Sequence, residues 1–396
     1  MHFARYARRA RLSRFLVCGL LLLLCCAASA QEWSWSGEFV DASGTFSALA
    51  VDPYGNVHIG YLSPDGGGTK YGFRSANTGR WFTMFVDKNN GPVNLALDSH
   101  QQPHLCYLSF QTLKYAFWDK NKGWQIQEIG PNSGERDYTC GIAIGPDGAP
   151  HVTWYQLTYF ADAYYVHIRH AVLKDGAWRA RTLDYGNETG KWNSVQVDAK
   201  GDVHVSYSAY KDGALHYARS NPDGSSWKVM TIEDGKSGHN VGATPGMGNS
   251  MVLDKNGQAN FSYRDENTLR YAWPEGDHWR IDIVDPNANP FGNQSWINQR
   301  TSLALDANGY PHIAYETDGS LKHAWWDGSR WHIQAMGIAG ANHRYPSIAI
   351  SKDNIIYIAY SAPEDGSLRV LVGKPEQPKP VATKPPEVSP GSKAGK

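Results

Sequence analysis

Little in this sequence names a chemistry on its own. It has five cysteines, and Cys18, Cys25 and Cys26 fall within the first thirty residues, so the rest of the chain keeps only Cys106 and Cys140. Two cysteines do not make a disulfide scaffold, and neither sits in a metal or redox spacing. An oxidising compartment would let them pair, but spacing alone leaves a bridge and two lone buried thiols equally open. There is no Gly-rich phosphate loop, no His-Glu-x-x-His zinc motif, no Cys-x-x-Cys-His haem site and no Gly-x-Ser-x-Gly elbow. No loop has the ligand spacing of a calcium hand. No cofactor is expected, and structural calcium is the one metal an acidic surface leaves room for. Charge of one sign is also lacking, with 38 basic and 38 acidic residues overall. Residues 31–373 carry 28 basic against 36 acidic side chains. A mildly acidic body argues against nucleic acid, whose binders concentrate positive charge.

Long apolar runs are missing except one. Arg5, Arg8, Arg9, Arg11 and Arg14 precede an apolar stretch from Phe15 to Ala27, which ends at Ala28-Ser29-Ala30. The stretch is too short to span a bilayer, which takes about 20 residues. Its order is that of a secretion signal. Residues 1–30 are therefore read as a signal peptide, and the mature chain as a monomer without a membrane span, secreted, periplasmic or held at the cell surface. At the other end, six of the last 23 residues are proline. Residues 374–396 read as a flexible Pro/Lys-rich tail.

What is abundant is aromatic: 15 Trp, 22 Tyr and 12 Phe beside 40 Gly. Such a mixture suits many short strands joined by tight turns. Self-similarity then sets the architecture. The run Ser302-Leu-Ala-Leu-Asp306-Ala-Asn-Gly309-Tyr-Pro-His312-Ile-Ala-Tyr315 continues through Leu321-Lys-His-Ala324 to Asp327-Gly-Ser-Arg-Trp331. The place of Asp306 is taken by Asp52, Asp98, Gly145, Asp198, Asp254 and Ser351 in six other copies, about 50 residues apart. Each copy holds four apolar runs, a to d, alternating as half-buried strands do. The seventh copy stops after run c, at Leu368 to Gly373. The missing Trp-led run stands at the start of the body, Trp35 to Asp41, with the spacing of Trp81 to Asp87. The expected fold is an all-β, seven-bladed propeller over 31–373, with four-stranded blades and the N-terminal strand completing the last blade.

Residues that recur from copy to copy read as structure. His58, His104, His151, His204 and His312 share one strand-b position. A ring holds them apart, so they are expected to make interblade hydrogen bonds rather than bind one ion. Trp81, Trp124, Trp178, Trp227, Trp279 and Trp331 are expected to wedge between blades. Tyr61, Tyr107, Trp154, Tyr207, Tyr263, Tyr315 and Tyr360 are expected to form a packing ring. Function is sought where the copies differ, in the loops leading from strand d into the next strand a. These lengthen before blades 3 to 7. They carry Arg136 and Tyr138, then Trp192, then His239 and Asn240, then Trp296, Asn298 and Arg300, then His343, Arg344 and Tyr345. Arg264 lies on a b–c loop of the same face. Aromatic faces for sugar rings and fixed donors for hydroxyls or a carboxylate suit a carbohydrate. A repeat lectin would put the same binding residues in every blade, whereas variation across consecutive blades favours one asymmetric site.

The copies around Leu303–Tyr315 and Leu215–Arg219 resemble those of bacterial sialidase-like propellers, and more loosely those of propeller polysaccharide lyases. The resemblance covers 33–373 and bears on fold. The c–d turns, Asp327-Gly-Ser-Arg-Trp331 and Asp223-Gly-Ser-Ser-Trp227, are shorter than the sialidase Ser-x-Asp-x-Gly-x-x-Trp box, and no catalytic residue is carried over from sialidases. The lyases imply elimination across a uronic acid by a base beside a cation. His239, His343 and Tyr345 would then be catalytic, near Arg300 and Arg344. Three functions follow: a glycan-binding propeller, a polysaccharide lyase or glycosidase using the same funnel, and an envelope scaffold for partner proteins.

Overall fold

The computed structural model describes residues 33–376, except 66, 89–90, 110–111, 132–139, 161–162, 187–188, 210–212, 222–225, 236–244, 290–299, 318 and 340–344. These form seven four-stranded antiparallel sheets. Blade 1 is Thr45–Val51, Val57–Ser63, Gly68–Arg74 and Trp81–Asp87. Blades 2 to 6 occupy 93–131, 141–184, 189–233, 247–285 and 301–339. Blade 7 is Ser347–Ile350, Ile356–Ser361 and Leu368–Pro375, with Trp33–Asp41 as its outer strand. That outer strand pairs from Trp33 opposite Pro375 to Asp41 opposite Leu368. The strand at the C-terminal end thus runs two residues past the boundary expected at Gly373. Each innermost strand neighbours the next, around to blade 1 again, so the sheets close into a ring.

Local chemistry explains the strands and turns. In blade 1 the turn between strands a and b is set by Asp52, whose Oδ1 accepts from the N–H groups of Tyr54 and Asn56 at 2.9 and 2.8 Å. Gly55 completes it at φ 83°, a region an L side chain avoids. On strand b the histidines are buried, and their bonds lie inside a blade, not between blades as the sequence suggested. His58, His104 and His204 meet the hydroxyls of Tyr71, Tyr115 and Tyr217 on the neighbouring strand c, each at 2.6 Å. His151 meets His170, and His312 meets His323, each at 3.0 Å.

Between blades, two other devices act. In four blades the Trp near the start of strand d lies edge-on against a strand-c ring of the preceding blade: Trp124 on Tyr71, Trp178 on Tyr115, Trp227 on His170 and Trp331 on Tyr271, with centroids 5.2–5.3 Å apart. The strand-b tyrosines do more than pack. The hydroxyls of Tyr61, Tyr107, Tyr207, Tyr263 and Tyr315 donate to Asp41, Asp87, Asp184, Glu233 and Asp285, the acids that end strand d of the blade before. A basic strand-c side chain stands beside each acid: Lys70, Lys114, His216, Arg270 and Lys322. Burial raises the pKa of these tyrosines, so they stay protonated donors. Among the described residues the junctions of blades 2/3 and 6/7 lack this clamp. At 2/3, Cys106 on strand b of blade 2 is disulfide-bonded to Cys140 at the start of blade 3, so the two cysteines are a bridge and not lone thiols.

The buried histidines make stability depend on pH. Burial first, then His151 and Arg181, lowers the His170 pKa to about 3. Burial also lowers that of His151 to about 4. An unfolded histidine titrates near about 6.5. As pH falls below that value the unfolded chain takes up protons and the fold does not. Stability is therefore full above about pH 6.5 and is lost progressively below it. His170→Tyr recreates the His–Tyr pair of blades 1, 2 and 4. It is expected to lessen the loss by up to about 1.4 kcal/mol per pH unit between roughly pH 6 and 4. Urea midpoints over that range measure it, and an unchanged slope would show that His170 is not among the groups responsible.

Candidate functional site

Strand d of each blade ends, and the next strand a begins, on the face that also holds the b–c connections. On the axis beneath this loop face lies a cavity of about 240 Å3 lined by the innermost strands of all seven blades, including Asn94, Asn193, Asn249 and Ser347. Much of its polar lining stitches the ring. Ser250, Ser302 and Ser347 Oγ accept from the backbone N–H of Leu303, Ile348 and Leu49 in the following blade at 3.2, 3.0 and 2.8 Å.

The distinctive chemistry sits at the lip. Six residues ahead of each a–b turn, the copies place Phe46, Pro92, Trp192, Gly248, Arg300 and Tyr345 in blades 1, 2, 4, 5, 6 and 7. Three of the expected site residues, Trp192, Arg300 and Tyr345, are thus one repeat position seen three times. The structure brings two of them together: the Arg300 guanidinium lies 5.6 Å from the Tyr345 ring centre. Tyr345 stacks in turn on Phe46, centroids 4.0 Å apart at 27°. Arg300, Tyr345 and Phe46 therefore make one stack across blades 6, 7 and 1.

The backbone here is strained. Phe46, Trp192 and Tyr345 have φ of 51°, 46° and 64°. Each such bulky left-handed residue costs about 1–3 kcal/mol and persists only where its surroundings impose it. Around Trp192 they do. Asn193 Nδ2 donates to Gly190 O at 3.0 Å, closing the bend, and Asn249 Nδ2 donates to Trp192 O from the next blade. Burial lowers the Arg300 pKa to about 10, so it remains a cation near neutrality. No acid among the described residues lies within ion-pair reach of it. The lip thus holds a half-buried positive charge beside stacked rings.

The other expected residues divide. His239, His343, Arg136, Tyr138, Asn240, Trp296, Asn298 and Arg344 lie outside the described residues. Arg264 is described and wholly buried. It donates to the carbonyls of Ala288, at 2.5 Å, and Glu316, and its guanidinium lies 5.9 Å from the Tyr315 ring centre. It joins blade 5 to blade 6.

Phe46 was missed because the lead into blade 1, Ala42-Ser43-Gly44-Thr45, is short and carries none of the charged or amide side chains that mark the longer loops. A second omission is the rim of blade 3. Its strands b and c, Pro150–Phe160 and Ala163–Lys174, are 11 and 12 residues long, against seven each in blade 1. Four extra residues raise the hairpin by about 14 Å at about 3.4 Å each. His167 on this hairpin stands between the rings of Tyr165 and Tyr185, at 6.5 and 5.8 Å. The signal was available as the extra length between the Trp154 and Arg169 positions. Among the described residues no cluster of three His, Cys, Asp or Glu is placed to hold a metal.

The chain matches no protein-family model and no curated protein. Solved structures do match. An ulvan lyase of polysaccharide lyase family PL25, solved with -[GlcA(1-4)Rha3S]-, has a TM-score of 0.59 at 12% identity over 86% of this chain and 96% of its own. AofleA from Arthrobotrys oligospora has a TM-score of 0.49 at 14% identity over 78% and 91%. The intramolecular trans-sialidase from Ruminococcus gnavus has 0.43 at 11% identity over 84% and 95%. The likeness is one of fold. Lyase and sialidase propellers are the two groups that the repeats resemble.

Arg264 offers a test of position against type. Arg264→Met leaves the carbonyls of Ala288 and Glu316 without their donor and is expected to cost about 2–3 kcal/mol of stability, read by urea denaturation. Ligand capture at the lip should not change, and a stable variant that loses capture would move Arg264 into the site.

Proposed function

We propose that this chain is an exported propeller that binds an acidic glycan at one site, on the loop-face lip of its axial cavity. The stack of Arg300, Tyr345 and Phe46 carries this reading. The half-buried ring of Phe46 offers a flat face to the apolar face of a sugar, while Tyr345, buried against Phe46 and Arg300, holds the two in place. A half-buried guanidinium with no acid in ion-pair reach among the described residues suits a carboxylate or sulfate, which it can hold by two parallel bonds. The same repeat position reads Pro92 in blade 2 and Gly248 in blade 5, so the lip is asymmetric, as a single site requires. The lyase with a TM-score of 0.59 was solved with a sugar chain containing GlcA and Rha3S, an acidic ligand on the same architecture. That is support by analogy of fold.

Cleavage is a second reading, favoured by His167 between Tyr165 and Tyr185 on the raised rim. In an elimination, a base takes the proton beside a uronate carboxylate. A cation holds the carboxylate, a C=C bond forms, and the C–O bond to the leaving sugar breaks as its oxygen regains a proton.

One experiment separates these. Polygalacturonate, a sulfated galactan and neutral dextran are offered to wild-type protein, Arg300→Ala and Arg179→Ala, the last an exposed residue of blade 3. Arg300→Ala should weaken binding of the acidic polymers by about tenfold to a hundredfold, the worth of about 1.5–3 kcal/mol for a charged hydrogen bond, and Arg179→Ala should not. Equal binding by wild type and Arg300→Ala would sink the proposal. Unsaturated oligosaccharides among the products, absent with His167→Ala, would promote the cleaving role.

Export is supported by the leader pattern and by the Cys106–Cys140 bridge, which suits an oxidising compartment. The bridge closes a loop between residues 34 positions apart, for which chain entropy gives about 3–4 kcal/mol. Reductant should lower the melting temperature of the wild type and leave that of Cys106→Ser unchanged. Equal sensitivity in both would argue against the bridge.

A further inference from the structure

A second cavity, of about 290 Å3, opens between blades 5 and 6 on the opposite, turn-bearing face. Its walls are Trp273, Tyr310 and Trp326, with Asn260, Arg280 and Asp282 supplying polar groups. It lies where these two blades depart from the others. Blade 5 has Asn260 where blades 1, 2, 3, 4 and 6 have histidine, a shorter side chain that leaves room at the mouth of strand b. Blade 6 has Tyr310 where the equivalent residues are Asn56, Gln102, Ala149, Asp202, Gln258 and Ile355.

The walls are built rather than incidental. Tyr310 is 37% exposed, yet its ring rests on the turn at Gly328, where any Cβ would meet the phenol oxygen at 2.7 Å. Gly328 has φ 96°, so glycine is required there twice over. Trp326 meets Trp331 edge-on at 5.7 Å, and Trp331 Nε1 donates to Asp282 at 3.1 Å. Arg280 lies over Trp273 at 5.2 Å. The aromatic surfaces are therefore held in place before any ligand arrives, which lowers the entropy cost of binding.

We propose that this cavity is a second sugar-binding site, separate from the lip, that takes a neutral hexopyranose unit. Neutrality follows from charge. Arg280 is matched by Glu275 at 3.3 Å and Asp282 at 3.8 Å, so no cation is left over for an acidic sugar. Polarity follows from the edges. The Asn260 amide and the Asp282 carboxylate border the aromatic faces, an arrangement for hydroxyls around an apolar ring face and not for a wholly apolar group. Size follows from volume: 290 Å3 is at the lower end of small-ligand sites, about 300–1,000 Å3, and suits one or two rings rather than a long chain segment.

The test uses the whole protein and three neutral probes of hexopyranose units: cellotetraose, maltotetraose and mannotetraose. Saturation-transfer NMR and tryptophan fluorescence report contact, and calorimetry gives the dissociation constant. At least one probe should bind. Tyr310→Ala and Trp326→Ala, checked for an unchanged melting curve, should each weaken it tenfold or more, and Arg300→Ala at the lip should leave it unchanged. Tyr310 is surface-exposed, so its variant remains interpretable if Trp326→Ala folds poorly. Absence of binding by all three probes overturns the proposal. So does binding that survives Tyr310→Ala, or binding that is lost with Arg300→Ala alone. Failure of the acidic-glycan reading leaves this site untouched, because the two are read on different variants and different probes.

Discussion

Everything in this molecule depends on closing a circle. The ring closes only if the last blade, which lacks a fourth strand of its own, finds one, and the chain supplies it from its other end. The pairing of Trp33–Asp41 with Leu368–Pro375 gives blade 7 the same four strands as the others, leaving short outer edges only. It also buries Trp33 against blade 6, where it meets Trp325 edge-on at 5.1 Å. The innermost strands can then face the axis at fixed spacing. The lip residues converge only because that spacing is fixed.

Once closed, the ring is held by a repeated set of polar contacts. The strand-b tyrosine, the acid ending the previous strand d and a basic strand-c side chain meet at five junctions. Their Coulomb attraction is partly screened, so the hydrogen-bond geometry and the buried tyrosine ring count for more than the ion pair alone. The junction of blades 2 and 3 has Trp154, Arg169 and the carbonyl of Pro131 at these places, with Trp154 Nε1 donating to Pro131 O at 3.3 Å. It is the one spanned by the Cys106–Cys140 bond. A covalent link stands where the polar clamp is missing.

The sequence was most legible where the same constraint is written several times. Seven copies of an apolar alternation, with a Trp opening strand d and an Asp-led turn, left little choice of architecture, and the displaced strand Trp35–Asp41 revealed the closure. The histidines show the limit. Five equal positions announce a structural role, but whether the imidazole bonds across a blade or between blades depends on where Tyr71 or Tyr217 points, and alternation alone does not resolve it. At the lip, the residue types of Trp192, Arg300 and Tyr345 were legible as loop variation. Their equivalence was not, because insertions of unequal length before each blade hid the common distance to the turn. Phe46 was invisible for the opposite reason, being an ordinary apolar residue in a short loop. Arg264 shows that a loop-face arginine can be wholly consumed by carbonyl groups, which no local pattern signals.

The position of the chain ends has a geometric consequence. Trp33 and Pro375 are paired neighbours on the outermost strands of blade 7, at the margin where strand d begins, on the turn-bearing side of the disc. Whatever precedes residue 33 or follows residue 375 departs from that one point on the circumference. A tether attached at either terminus would therefore hold the disc by its turn-bearing side. The lip of Arg300, Tyr345 and Phe46 lies on the other side, so a tether there would leave it uncovered, like a dish mounted by its back.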